Sequence, residues 1–130
     1  MKKRIWTLIL IVIALVIFIY MRGKSNSSII FYNRTEDVIE NIEIKYSSEN
    51  TWKKIKKIGP REKLKKELVT PKNFQEGSLE LRYLDKNGTY HTKTLKGYTE
   101  KSFKVLVKVY IKRIEDNGTL DLEIVDKSLF

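Results

Sequence analysis

Two hydrophobic rhythms run along this chain, and one gives way to the other near residue 28. From Ile5 to Met21 there are 17 consecutive uncharged residues, preceded directly by Lys2, Lys3 and Arg4. The run has no polar face, so it predicts a helix that is apolar all round rather than amphipathic. At 1.5 Å rise per residue it spans about 25 Å, slightly under a hydrocarbon thickness of about 30 Å. Trp6 and Tyr20 stand near its two ends, where amphipathic rings favour the headgroup layer. Arg4 and Arg22 can snorkel outward to cover the remaining distance.

The segment is read as an uncleaved signal anchor, with Ile5, Trp6, Tyr20 and Met21 marking its ends. A cleaved signal peptide is the rival, but the apolar run exceeds the usual signal core. The nearest approaches to a cleavage site, Gly23-Lys24-Ser25 and Ser25-Asn26-Ser27, match an A-x-A pattern poorly. A chain without cysteine cannot carry a lipid-modified cysteine anchor, and it is not a disulfide scaffold. The excess of positive charge before the run over that just after it predicts a cytoplasmic N-terminus and an exported C-terminal part.

Beyond the anchor the period changes to two. Phe103, Val105, Val107, Val109 and Ile111 share one parity, and Lys104, Lys108 and Lys112 take the other. The same alternation appears at Ile42, Ile44 and Tyr46, at Leu79, Leu81 and Tyr83, and at Leu120, Leu122 and Ile124. Asn87-Gly88 and Asn117-Gly118 each lie between such runs, which predicts two hairpins with type I′ turns. Further strands are expected at 28–33, 51–58 and 63–69, the last introduced by Gly59-Pro60. Seven or eight short strands, each apolar on one side, call for a two-layer antiparallel fold. The expected architecture is therefore an all-β, immunoglobulin- or fibronectin-III-like sandwich behind one transmembrane helix, with a small barrel as the competitor. The domain plan is a basic flank at 1–4, the anchor at 5–21, a polar tether at 22–28 and an extracytoplasmic β domain at 29–130.

Charge sharpens this picture at one place. The chain carries a formal net charge of +10, from 26 basic and 16 acidic residues. Lys53, Lys54, Lys56, Lys57, Arg61, Lys63, Lys65 and Lys66 crowd into 53–66, opposed within that stretch only by Glu62. Such a run is either a solvated edge that resists strand-to-strand association or a surface for an anionic partner. A predominance of lysine over arginine favours diffuse attraction over bidentate phosphate reading. Nucleic acid is not expected, since no recognition motif accompanies the lysines.

Catalytic chemistry has little material. His91 is the sole histidine, placed in a strand of alternating polar residues, and reads as a surface residue rather than a base or ligand. Triads of the Ser–His or Cys–His type and motifs such as the P-loop or HExxH are not expected, so no catalytic, cofactor or metal site is assigned. Glu36, Asp37, Glu40 and Glu43 form a local acidic cluster that reads as a solvated turn, not a calcium loop. Asn26, Asn33, Asn87 and Asn117 fall in glycosylation sequons, read as coincidental in a lysine-, isoleucine- and asparagine-rich bacterial type of sequence. The resulting expectation is a non-enzymatic, membrane-anchored binding module without cofactors, whose partner is a protein or an anionic envelope polymer. One version intercepts a toxin or phage factor at the outer face. The alternative is an accessory subunit of a secretion, sporulation or wall-synthesis complex.

Overall fold

In the computed structural model, residues 1–23 and 27–128 are described. The first element, α1 (Lys2–Gly23), extends the apolar run into both of its flanks. None of the stretch Lys2–Tyr20 is buried against the rest of the chain. The tether expected at 22–28 falls partly outside the described residues, and the first strand begins inside it, at Ser28.

Eight strands follow: β1 (Ser28–Asn33), β2 (Glu43–Tyr46), β3 (Lys53–Lys54), β4 (Lys63–Glu67), β5 (Glu76–Leu84), β6 (Tyr90–Glu100), β7 (Leu106–Ile114) and β8 (Leu120–Asp126). They form two four-stranded sheets, one ordered β4-β1-β7-β8 and the other β3-β2-β5-β6. The alternation read from the sequence fixes which side of each sheet turns inward. Val105, Val107, Val109 and Ile111 are buried, as are Leu79, Leu81 and Tyr83 and the set Ile42, Ile44 and Tyr46. Together with Ile29, Phe31, Phe74 and Leu95 they make one hydrophobic cluster drawn from both sheets. Each aliphatic side chain withdrawn from water in this way contributes about 1.5–3 kcal/mol.

Three expectations need correction. First, β1 and β7 run parallel, with Phe31 opposite Val109, whereas every other strand pairing among the described residues is antiparallel. A wholly antiparallel fold is thus not what forms. Second, the strand expected over 51–58 shrinks to Lys53–Lys54, plus a single bridge between Ile39 and Ile58. Ile55 and Ile58 are both buried but stand three residues apart, a spacing that an extended strand cannot place on one face. Third, both hairpins form, but not through type I′ turns. Within these two turns only Gly88 (φ 77°) and Gly118 (φ 87°) take positive φ, and neither Asn87 nor Asn117 does. Gly88 N donates to Asp85 O and Asp85 N to Thr89 O; Gly118 N donates to Glu115 O and Glu115 N to Thr119 O. This is the three-residue loop, a type I turn whose glycine occupies the left-handed position.

The two turns also touch. Lys86 N donates to Asn117 O at 2.9 Å, which ties the hairpin of one sheet to that of the other. Nearby, the buried Tyr83 hydroxyl accepts a hydrogen bond from Leu120 N at 3.0 Å.

Candidate functional site

The eight basic residues of 53–66 land on the two edge strands β3 and β4 and on the segment that joins them. That places them along one side of the molecule, where the edges of the two sheets meet. They do not form a single face. Lys53 pairs across the sheet with buried Ile44, and Lys66 with buried Ile29, so both lysines occupy inward-facing register positions at an edge. Inward-pointing charges of this kind prevent an edge from accepting another copy of the same strand. Lys63 and Lys65 face the other way, opposite Tyr32 and Ile30 on the outer side of their sheet. Lys54 lies opposite Glu43 on the outer side of the second sheet.

Part of this charge is neutralised from a distance that the linear sequence hides. The acidic stretch 36–43, read above as a solvated turn, reaches the basic run. Arg61 binds Glu36 through two nitrogens at 2.6 and 2.7 Å, and Lys57 lies 3.5 Å from Glu40. Lys53 lies 3.1 Å from Glu49. The scaffold for this convergence is Asn33, which the sequence reading passed over except as a sequon. Its buried amide nitrogen donates to the carbonyls of Asp37, Ile58 and Gly59, and its amide oxygen accepts from Thr35 N and Oγ1. A side chain so enclosed is closed to glycosylation in the folded state, in line with reading that sequon as coincidence.

The lysines that remain are Lys54, Lys56, Lys63, Lys65 and Lys66. None of them has a carboxylate within ion-pairing distance among the described residues. Four of the five, all but Lys63, surround a cleft of about 360 Å³ between the sheet edges, whose apolar lining is Ile55 and Leu64. A smaller cavity of about 60 Å³ lies alongside, lined by Tyr46, Lys53, Lys66 and Leu68 among others. Burial pushes the Tyr46 hydroxyl above the usual phenolic range, so that group stays neutral.

Elsewhere the polar groups serve the architecture. His91 lies on β6, partly exposed, and is held in place: its Nε2 lies 2.9 Å from Asp85 Oδ2 and its ring stacks on Tyr83. Asp85 Oδ1 also accepts from Asn87 N and Thr89 N. The His91 bond, followed by the Thr89 amide, holds the Asp85 carboxyl below the ordinary carboxylate range. These contacts staple a turn and present no nucleophile. No group of three metal-ligating side chains occurs among the described residues. On the outer side of the second sheet the Arg82 guanidinium lies against Trp52 and Tyr90, and its Nε donates to Glu43 at 3.2 Å, so this cluster is held together by its own partners. The anchor residues Ile5, Trp6 and Tyr20 are all exposed on α1, with Trp6 and Tyr20 about 21 Å apart along its axis. The side chain of Met21 is outside the described residues.

No protein-family model matches the chain, and no curated protein sequence does so. A protein from Eubacterium rectale, solved by NMR, is similar in structure, with a TM-score of 0.50 at 16% identity. The match covers 78% of this chain and 90% of that one. At that identity the likeness concerns the fold alone: a two-sheet β body preceded here by an apolar helix.

Proposed function

We propose that this chain is a single-pass membrane protein that displays a non-enzymatic β-sandwich binding module outside the cytoplasm. One observation carries the reading. Over Lys2–Tyr20 the helix is apolar and exposed on every side, while the β body closes its own core without it. Left in water, such a helix would expose a continuous run of large apolar side chains, far more than a scattered surface residue. In a bilayer the same exposure costs nothing. Only residues 24–27 separate α1 from β1, so the module stays within about 20 Å of the headgroups at full extension.

Within the sandwich class the module is read as immunoglobulin- or fibronectin-III-like, supported by its strand number and its two hairpins, with the parallel β1–β7 pair as a departure from the wholly antiparallel pattern. Its binding surface is the lysine-lined side of the β3 and β4 edges, directed at an anionic partner. The helix serves as a plain anchor, because Thr7 and Ala14 are its only small residues between Ile5 and Met21 and, seven positions apart, they make no small-xxx-small seam for a helical partner. Carbonate extraction of cell membranes, followed by protease shaving of intact cells, tests the placement. The full chain is expected in the membrane pellet with residues 27–128 removed by external protease. A soluble mature product beginning near residue 26, or a protected β body, would overturn it. Replacing α1 with an unrelated anchor should leave function intact; loss of function would favour a subunit of an envelope complex.

A further inference from the structure

The lysine-lined cleft has a second property besides charge. Strand β4 pairs on one side only, with β1. Asn33 N donates to Glu62 O and Leu68 N to Ser27 O, so the even-numbered residues of this stretch turn their backbone groups toward β1. In an antiparallel ladder the alternate residues then point outward, which gives the free edge the N–H and C=O groups of Lys63, Lys65 and Glu67. All three residues are exposed. The cleft runs beside this edge, between β4 and the segment 54–56.

We propose, resting on the binding-module reading above, that this cleft receives an extended acidic polypeptide segment, which adds to the free edge of β4 as a fifth strand. Backbone bonds to Lys63, Lys65 and Glu67 supply the register, as in other strand-addition sites. Ile55 and Leu64 take the small apolar side chains of alternate positions. Lys54, Lys56, Lys65 and Lys66, which lack internal acids, pair with the carboxylates. The same lysines explain the selectivity. A second copy of Lys63–Glu67 meets like charge across the ladder, and neutral strands leave the inward Lys66 without a counter-charge, so an acidic strand is the complement that satisfies both. A phosphate polymer or a lipid headgroup would satisfy the charges but would leave the edge amides and the apolar lining without use.

The experiment takes the full chain in phosphatidylcholine nanodiscs. The probe is a short peptide alternating glutamate with valine, and its backbone is also made with N-methyl groups on the ladder-facing residues. Titration followed by NMR should show saturable binding, slowed exchange of the Lys65 and Glu67 amides, and loss of binding with the N-methylated peptide. The paired reversals Lys56→Glu and Lys65→Glu should weaken binding by about tenfold or more at low salt. The neutral pair Lys56→Gln and Lys65→Gln should fall between, and Lys108→Glu, on the outer face of β7, should have little effect. Equal affinity for the N-methylated peptide would overturn strand addition. Binding of polyphosphate or of phosphatidylglycerol nanodiscs without peptide binding would overturn the acidic-peptide assignment while leaving the anionic-partner reading standing. No binding to any probe at low salt would overturn both. The membrane placement is read separately, by extraction and shaving.

Discussion

Gly88 and Gly118 form a matched pair that isolates the contact between the two hairpin turns. Both are the left-handed glycine of the same three-residue loop, at φ 77° and 87°. Their surroundings differ completely. A Cβ built on Gly88 meets nothing within 4 Å, whereas one on Gly118 lies 2.9 Å from Lys86 N and 3.0 Å from Lys86 Cγ. Lys86 N is also the donor to Asn117 O, so the methyl group would push directly on the bond that joins the hairpins. Alanine in the left-handed region costs about 1–2 kcal/mol, of which about 0.4–1 is offset by the reduced freedom of the unfolded chain. Gly88→Ala should therefore cost about 0.5–1 kcal/mol. Gly118→Ala bears the same cost, and it also loses or stretches a hydrogen bond worth about 1 kcal/mol and shifts a backbone it cannot pass. Its total should reach about 2–3 kcal/mol.

Thermal unfolding of residues 27–128, followed by circular dichroism, reads the difference. For a body of this size each kcal/mol corresponds to about 4–8 °C, so Gly118→Ala should melt about 6–16 °C below Gly88→Ala. Equal losses in the two variants would refute the argument, because they would mean that the turn–turn contact carries no free energy. A larger loss at Gly88 would show that the open turn is the constrained one, which is the reverse of the geometry.

Other substitutions probe the core, the scaffold of the site and the acid limb. Phe31 is fully buried between Leu64 and Val109 on the inner face of its sheet, so Phe31→Ala should cost about 3–5 kcal/mol in urea denaturation and abolish cooperative unfolding if the body is marginal. Asn33→Ala removes the acceptor of the buried Thr35 N and one of the two donors to each of the carbonyls of Asp37, Ile58 and Gly59, and should cost about 2 kcal/mol, with loss of the Arg61–Glu36 contact visible as shifted Arg61 side-chain resonances. Unchanged stability would remove Asn33 from its assigned role. At acid pH, Asp85 has a folded pKa below its unfolded value, mainly through His91 and the Thr89 amide, so the unfolded chain takes up protons first. That contribution is present above the unfolded carboxylate range near pH 4 and is lost as pH falls through the lowered folded value. For Asp126, burial pushes the carboxyl up but is outweighed by Lys96 and Ser128, which gives the same sign. Urea midpoints from pH 2 to 6 should therefore rise with pH, and Asp85→Asn should flatten that rise; an unaltered slope would contradict the Asp85 assignment.

What could be read from the sequence was local. The hairpins needed only contiguous alternation and an Asn-Gly pair, and the burial of Val107, Val109, Leu79 and Leu81 followed from parity alone. The turn type was misjudged because Asn-Gly serves both loop lengths, and the choice between them depends on hydrogen bonds formed outside the pair. Asp85 Oδ1 accepts Asn87 N and Thr89 N, which fixes the longer loop. Pairings between distant residues were not legible. Nothing along the chain announces that β1 will lie parallel to β7, or that Glu36 and Glu40 will meet Arg61 and Lys57. The charge run was visible as a run, but its division was not. Which lysines keep an internal acid, which point inward and which remain unpaired all depend on the register of two edge strands.

That division is informative because the opposite side of the molecule handles its edges differently. There β6 and β8 are the free edges, and they are joined across the sheets by Lys96 and Asp126 at 2.7 Å, with the Lys96 side chain only 11% exposed. One ion pair supplied by the chain itself closes that side. On the β3–β4 side the lysines outnumber the acids that reach them: Lys54, Lys56, Lys65 and Lys66 ring a cleft whose one acidic lining residue, Glu67, forms no ion pair with any of them. If the lysines served only to keep edges from associating, a self-contained pair like Lys96–Asp126 would do so without the mutual repulsion of four clustered ammonium groups, each like-charge contact of which is destabilising. The uncompensated cluster is instead what a surface looks like when its counter-charge arrives from outside. The asymmetry between the two sides is thus the physical argument for placing the binding surface at β4. It predicts that pairing the cluster internally, by Lys56→Glu alone, raises thermal stability while it weakens any acidic partner.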